Sequence, residues 1–262
     1  MKTDRRPAPD TSGADYNREA GWFGDQPVDP SAKTDRVHDV FERVAKRYDL
    51  MNDLMSGGVH RLWKHRFVNQ VRPGAGQTLL DVAGGTGDIA IALARHAPGS
   101  TVITCDLTEA MVRVGRDRSI DQGLASQVNP LVGNAESIPL PDRSVDTYTI
   151  AFGLRNVTRI DTALREARRV LKPGGQFHCL EFSRVTDRTL ERLYKAYSFQ
   201  VIPRIGAVVA KDRESYQYLV ESIQRHPDQE SLASRMTDAG FARVRYVNLT
   251  FGVAAIHSGW RL

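Results

Sequence analysis

The residues of this chain best placed to do chemistry are Thr78-Leu79-Leu80-Asp81-Val82-Ala83-Gly84-Gly85-Thr86-Gly87-Asp88, followed by the amphipathic run Ile89–His96. A short apolar segment ends in glycines and helical periodicity starts at once. Such a strand–turn–helix offers bare backbone to a nucleotide-like ligand, because glycine has no Cβ to hold it off. Asp106 follows at about the twenty-residue distance of a ribose-binding acid, where one carboxylate accepts two hydrogen bonds from a vicinal diol. The plainer role for Asp106 is to cap the next helix. Gly85-Thr86-Gly87-Asp88-Ile89-Ala90 also fits the dinucleotide pattern GxGxxA, so the loop alone does not name its ligand.

Three features point to S-adenosylmethionine. Asp81 precedes the glycines, where a carboxylate can meet the cationic amino-acid end of the donor or order the loop. Gly133-Asn134-Ala135-Glu136 follows the third strand-like run, and the Asn134 amide suits an adenine edge. No tyrosine has a lysine four positions on, which removes the reductase pair Tyr-x-x-x-Lys. Asp88 in the first helical turn is also expected to repel a pyrophosphate, which this donor lacks. The expected donor site therefore includes Asp81, Gly84, Gly85, Gly87, Asp106 and Asn134.

These residues must be held by alternating strands and helices. Strand-like runs are 78–83, 101–105, 128–132, 145–151 and 176–182; helix-like runs are 87–96, 108–122 and 160–171. The last is predicted to stop at Leu171-Lys172-Pro173-Gly174-Gly175. Alternation of this kind predicts a mostly parallel α/β sheet with right-handed crossovers. Residues 1–34, rich in Asp, Pro, Gly and Ser, read as a disordered or loosely docked arm. The rest, 35–262, reads as one domain: 35–72 a helical preface or lid, 187–226 a helical insertion. Asp228 is an expected N-cap for a helix through Ala239, and 244–249 with 253–257 reads as a closing strand pair.

Composition narrows the classes. The chain has 262 residues, 41% hydrophobic and 26% charged, enough for one large α/β domain. Its net charge of +5 suits an acidic partner, a nucleic acid or an anionic membrane face without choosing among them. Cys105 and Cys179 each sit in a strand-like run and read as buried hydrophobes, so neither zinc nor a disulfide framework, and no metal, is expected. No apolar stretch approaches bilayer length, and the polar N-terminus lacks a secretory h-region. A cytoplasmic setting is expected.

Beyond the donor loop, Tyr48-Asp49-Leu50-Met51-Asn52-Asp53-Leu54-Met55-Ser56-Gly57-Gly58-Val59-His60-Arg61-Leu62-Trp63 resembles the N-terminal signature of the ubiquinone/menaquinone biosynthesis C-methyltransferases. Arg169–Ser183 resembles their second signature, and Ala83–Asp88, Phe152–Val157 and His226–Gln229 are similar to further segments. The resemblance runs from about residue 37 to the C-terminus. It implies a class I S-adenosylmethionine-dependent methyltransferase fold, Rossmann-like, with N-terminal helices and a helical insertion before the last strands. It assigns the donor to Thr86, Asp106, Asn134 and Ala135. Where the family commonly has a donor-binding serine this chain has Ala151, so that contact is absent or comes from backbone.

The implied acceptor is a polyprenylated benzoquinol or naphthoquinol methylated on a ring carbon. Such a ring becomes nucleophilic when its hydroxyl loses a proton, so the site needs a base, an oxyanion partner and a dry slot. Arg155 and Asn156, just past the fourth strand, are the expected oxyanion partner and orienting amide; a guanidinium is a poor base. Asp49, His60 and Glu181 are alternative bases, unranked. The plainer readings pair Arg155 with Asp146 or Asp161, make His60 a helix cap, and bridge Glu181 to a basic helix residue. Tyr48, Met51, Met55 and Trp63 read as a lid or as core. Segment 188–213 reads as membrane-facing, at the inner face of the cytoplasmic membrane, or as an ordinary packed helix. A homodimer and association with other quinone-biosynthesis proteins fit this reading. The rival is another methyltransferase of the same fold acting on a small molecule or a nucleic acid. Against nucleic acid, the segment after strand four is Ala151-Phe152-Gly153-Leu154-Arg155-Asn156 rather than Asp/Asn-Pro-Pro-Tyr/Phe, and no cysteine is placed as a nucleophile.

Overall fold

The computed structural model describes residues 21–23, 26–44, 53, 56–186 and 213–262. Its frame is a seven-stranded sheet in the order β5-β4-β3-β6-β7-β9-β8. The strands are β3 (Thr78–Val82), β4 (Thr101–Asp106), β5 (Val128–Val132), β6 (Val145–Ala151), β7 (Leu171–Phe182), β8 (Ala242–Leu249) and β9 (Ala254–Trp260). Strands β3 to β7 pair in parallel, while β9 runs antiparallel between β7 and β8. The order reverses between β3 and β4 on one side and β3 and β6 on the other. The carboxyl ends of β3, β4 and β6 therefore open onto one crevice, where doubly wound sheets hold ligands.

Helices α2 (His60–Val71), α3 (Asp88–His96), α4 (Glu109–Asp121), α5 (Ile160–Val170), α6 (Arg213–Arg225) and α7 (Gln229–Asp238) flank the sheet, preceded by α1 (Pro30–Val44). Two cores result. One joins Phe67, Leu79, Leu93, Val102 and Ile256; the other joins Leu80, Tyr148, Ile150, Phe177 and Leu164. Leu79 and Leu80 face opposite cores because successive strand side chains alternate. Cys105 and Cys179 are free and buried, as their settings predict. Asp228 caps α7 by accepting from the Ser231 N–H at 2.8 Å.

One expectation is corrected. The chain is ordered well before residue 35: β1 (Gly21–Phe23) and β2 (Gln26–Val28) form an antiparallel ribbon and α1 starts at Pro30. Proline is at home in a first helical turn, and the apolar face Val37, Val40 and Phe41 packs on the core. Residues 1–20 lie outside the described residues. The helix expected over 160–171 does stop at Leu171, and Lys172-Pro173-Gly174-Gly175 then belongs to the strand that follows. Helix α5 ends at Val170 and β7 begins at Leu171; the four residues bulge opposite Asp146, between the pairs Val145↔Leu171 and Thr147↔Gln176. Proline and glycine marked an irregularity, and it is one of the ladder. Within the expected helical insertion 187–226 the structure describes α6 from Arg213; segment 187–212 lies outside the described residues, and with it most of the expected membrane-facing segment.

Candidate active site

The main cleft lies over the ends of β3, β4, β5 and β6 and takes in about 740 Å³, partly open to solvent. Its floor is Val82, Ala83, Gly85, Asp106, Asn134 and Ala135, and its far wall Phe152, Gly153, Asn156 and Val157. Helix α1 closes it with Thr34, Val37, His38 and Phe41. This helix is fastened at one end: Lys33 Nζ donates to the Val157 carbonyl at 2.9 Å, and the Thr34 and Thr158 hydroxyls lie 3.0 Å apart. Burial pulls the Lys33 amine down to about 8. The reach of Lys33 to loop 157 comes only from the fold; sequence reading missed it, and missed His38 and Phe41 as cleft-lining groups.

Backbone geometry shapes the cleft. Gly87 takes φ +84° as the residue before α3, and a side chain on Gly84 would meet Thr104 Oγ1 at 2.2 Å. Two non-glycine residues at the ends of adjacent strands also lie in the left-handed region, Ala83 (φ 51°) after β3 and Phe152 (φ 55°) after β6. Backbone of this kind costs about 1–3 kcal/mol and gathers at ligand sites. The two loops are interlocked, since a Cβ on Gly153 would stand 2.3 Å from that of Ala83.

Of the expected donor residues, Asp106 ties the glycine loop to the turn before α4. Oδ2 accepts from the Gly85 N–H and Oδ1 from the Thr108 N–H, each at 2.9 Å, and the side chain still lines the cleft. Each oxygen keeps a second lone pair for a diol. Burial raises its carboxyl above the usual range, the two amides pulling against it. Asn134 Oδ1 accepts from the Glu136 N–H at 2.8 Å, which holds the loop, and Ala135 is buried beside it.

A smaller cleft adjoins the main one at Ala83, Gly85 and Phe152, and is lined also by Lys64, Asp81, Gly84, Thr86, Asp88 and Ala151. Asp81 is 1% exposed; Thr149 Oγ1 donates to its Oδ1 at 2.7 Å, while Oδ2 has no hydrogen bond from the described residues. Burial pushes this carboxyl up to about 7. An unmatched buried carboxylate oxygen suits a cationic ligand group. Thr86 accepts from Arg118 Nη1 at 3.0 Å. Asp88 is not a free negative charge: Lys64 Nζ lies 2.8 Å from its Oδ2 and Arg118 Nη1 3.2 Å from its Oδ1. The expected repulsion of a pyrophosphate by Asp88 therefore does not hold, since two cations on neighbouring helices match it.

The acceptor-side residues separate sharply. Arg155 and Glu181 meet each other: Nη1 donates to Oε1 at 2.8 Å, the Arg155 N–H to Oε2 at 3.2 Å, and both side chains are 1% exposed. Arg155 also donates to the Phe152 carbonyl. Neither pairs with Asp146 or Asp161, which hold Lys172 and Arg235. Asn156 does line the main cleft, and its Oδ1 accepts from the Tyr218 hydroxyl at 3.0 Å. Tyr218, on α6, is buried and stacks on Phe23 with centroids 4.4 Å apart. His60 lies elsewhere, in a cleft between α2 and α3 with Arg61, His65 and His96; its Nδ1 is 2.9 Å from Ser56 Oγ. Burial, then Lys64, holds its ring below the usual range. Trp63 is core, packed on Phe152 and Phe182 and donating to Thr250 Oγ1 at 2.8 Å. Asp49, Tyr48, Met51 and Met55 lie outside the described residues.

The profile of the ubiE/COQ5 methyltransferase family matches residues 30–261. The ubiquinone/menaquinone biosynthesis C-methyltransferase UbiE of Dinoroseobacter shibae is 55% identical over 240 residues, 92% of this chain and 96% of that protein. The protein of the same description from Acidiphilium cryptum is 55% identical over 249 residues, 95% of this chain and all 100% of its own length. Among solved structures, a SAM-dependent methyltransferase from Thermotoga maritima, described as a possible histamine N-methyltransferase, superposes with a TM-score of 0.61 at 22% identity, covering 86% of this chain and 100% of that one. At that identity the likeness speaks for the fold: a class I methyltransferase sheet.

Proposed function

The chain belongs to the ubiE/COQ5 methyltransferase family and is a C-methyltransferase of ubiquinone/menaquinone biosynthesis, and from that premise we propose how its two joined clefts divide the reaction. The donor is S-adenosylmethionine and the acceptor a polyprenylated benzoquinol, a demethylmenaquinol, or both. When bound, the donor supplies an electrophilic methyl carbon on a positively charged sulfur. The observation that carries the donor assignment is the buried, unmatched Oδ2 of Asp81 beside the glycine loop, with Asp106 at the other end of the same crevice. Asp81 receives the ammonium of the amino-acid end, Asp106 the ribose hydroxyls, and Asn134 with Ala135 the adenine. Thr86, Gly84, Gly85 and Gly87 supply the close backbone wall. Ala151 lines the smaller cleft without a hydroxyl, so any contact there is made by backbone.

On the acceptor side, Asn156 is the group that faces the ring. Its oxygen is held by Tyr218, which leaves the Nδ2 donor for a quinol oxygen as negative charge grows there. Arg155 acts through position rather than contact: paired with Glu181, it fixes the turn Leu154–Asn156. Glu181 and His60 are each committed to partners away from the main cleft, and Asp49, the third candidate base, lies outside the described residues. The apolar walls Val37, Phe41, Met111, Phe152 and Val157 exclude water from the transfer. Among the described residues no helix is long and apolar enough to cross a membrane, and we propose peripheral contact with the membrane that holds the acceptor.

The test is methyl transfer from labelled S-adenosylmethionine to reduced and oxidised forms of both ring classes, together with mass spectrometry of the quinone accumulating in cells lacking the protein. Ring-carbon label in the reduced acceptor alone is the expected result. Donor binding without quinol-dependent turnover overturns the reading.

A further inference from the structure

The amino-acid end of the donor carries two opposite charges, and Asp81 answers only the ammonium. Its carboxylate, if carried into the same cleft, would lose much of its water and would need a cationic or N–H partner of its own. Among the described residues, Lys64 is the only cation lining the smaller cleft. It reaches there from α2, with its side chain 15% exposed, and its charge is felt by Asp81. At present its ammonium lies 2.8 Å from Asp88 Oδ2. That contact does not exclude a second one, because an ammonium has three donors, and Asp88 is held independently by Arg118 Nη1 at 3.2 Å.

We propose that Lys64 is a donor-binding residue, receiving the carboxylate of the donor's amino-acid end while Asp81 receives its ammonium. The inference rests on the S-adenosylmethionine reading above and adds a partner that the glycine loop and strand ends do not provide. It also gives α2 a part in recognition: the segment that carries Trp63 into the core delivers Lys64, one residue on, to the crevice. Two charges of opposite sign on facing elements would select a zwitterion over a simple amine.

Calorimetric titration of the full chain with S-adenosylmethionine, and with its decarboxylated analogue, tests this directly. The analogue keeps the adenosine, sulfonium and ammonium and lacks only the carboxylate. Wild-type protein is expected to bind the donor more tightly than the analogue. Lys64→Met is expected to weaken the donor about tenfold or more, while the more cationic analogue binds equally well or better. Lys64→Arg is expected to keep most of the affinity for the donor. Unchanged analogue binding certifies that Lys64→Met is folded. Equal weakening of both ligands, or of neither, overturns the proposal and leaves the donor reading standing. Failure of the wild-type protein to bind S-adenosylmethionine at all overturns the donor reading and this proposal with it.

Discussion

Arg155 Nη1 lies 2.8 Å from Glu181 Oε1, and only 1% of either side chain reaches solvent. The two groups that sequence reading set in different roles, oxyanion partner and base, are thus each other's counterion. Their pairing follows from the parallel register Ala151↔Leu180, which brings the turn after β6 over the end of β7. A buried charge stripped of its partner is costly, so the pair must be judged first as structure.

Arg155→Ala is therefore expected to destabilise the fold by about 3–5 kcal/mol, read as a lowered midpoint in urea. Arg155→Met with Glu181→Leu removes both charges and should recover most of that loss. A midpoint for Arg155→Ala within error of wild type would return Arg155 to a direct role in chemistry.

Tyr218→Phe keeps the ring on Phe23 and removes the hydroxyl that holds Asn156 Oδ1. Turnover is expected to fall about tenfold with little change in donor affinity, because the amide loses its orientation. In an Asn156→Ala background the same change should have almost no further effect. Additive losses would show that Tyr218 acts by another route.

Asp81 gives the donor site a pH dependence. Its carboxyl is pushed up to about 7 by burial, against 3.8 for a free side chain. The folded chain holds this proton more tightly than the unfolded one. Its stabilising contribution is fully present below about 3.8 and is lost as pH rises through about 7. The difference is about 4 kcal/mol. A cationic ligand beside Oδ2 favours the ionised form. Donor affinity should then rise from pH 6 to 8 with proton release, measured by titration calorimetry in buffers of different ionisation enthalpy. Asp81→Asn should show neither effect.

Gly84→Ala places a Cβ 2.2 Å from Thr104 Oγ1 and 3.0 Å from Asp81 Oδ2. We expect a loss of about 1–3 kcal/mol in thermal or urea unfolding, with weakened donor binding. Thr104→Ala in the same chain removes the nearer obstacle and should restore part of both. No restoration would mean that the backbone of the loop, rather than Thr104, resists the side chain.

The sequence alone determined the strands, the helices between them and the donor loop, because these depend on local patterns. Short apolar runs, a glycine turn followed by an amphipathic helix, and a capping Asp228 are all read over a few residues. It also put Asp81, Asp106 and Asn134 at strand ends, which a parallel α/β sheet turns toward one crevice. The Pro-Gly pair after Lys172 was visible but ambiguous, since the same residues end helices and bulge strands. Only the tertiary structure decided who pairs with whom. Lys64 with Asp88, Arg155 with Glu181 and Tyr218 with Asn156 are separated by 24, 26 and 62 residues. Each is set by sheet register and helix docking, and no local pattern carries that information. Residue types fix what chemistry is available; the packing of distant elements fixes which of those groups face the cleft and which neutralise one another inside the core.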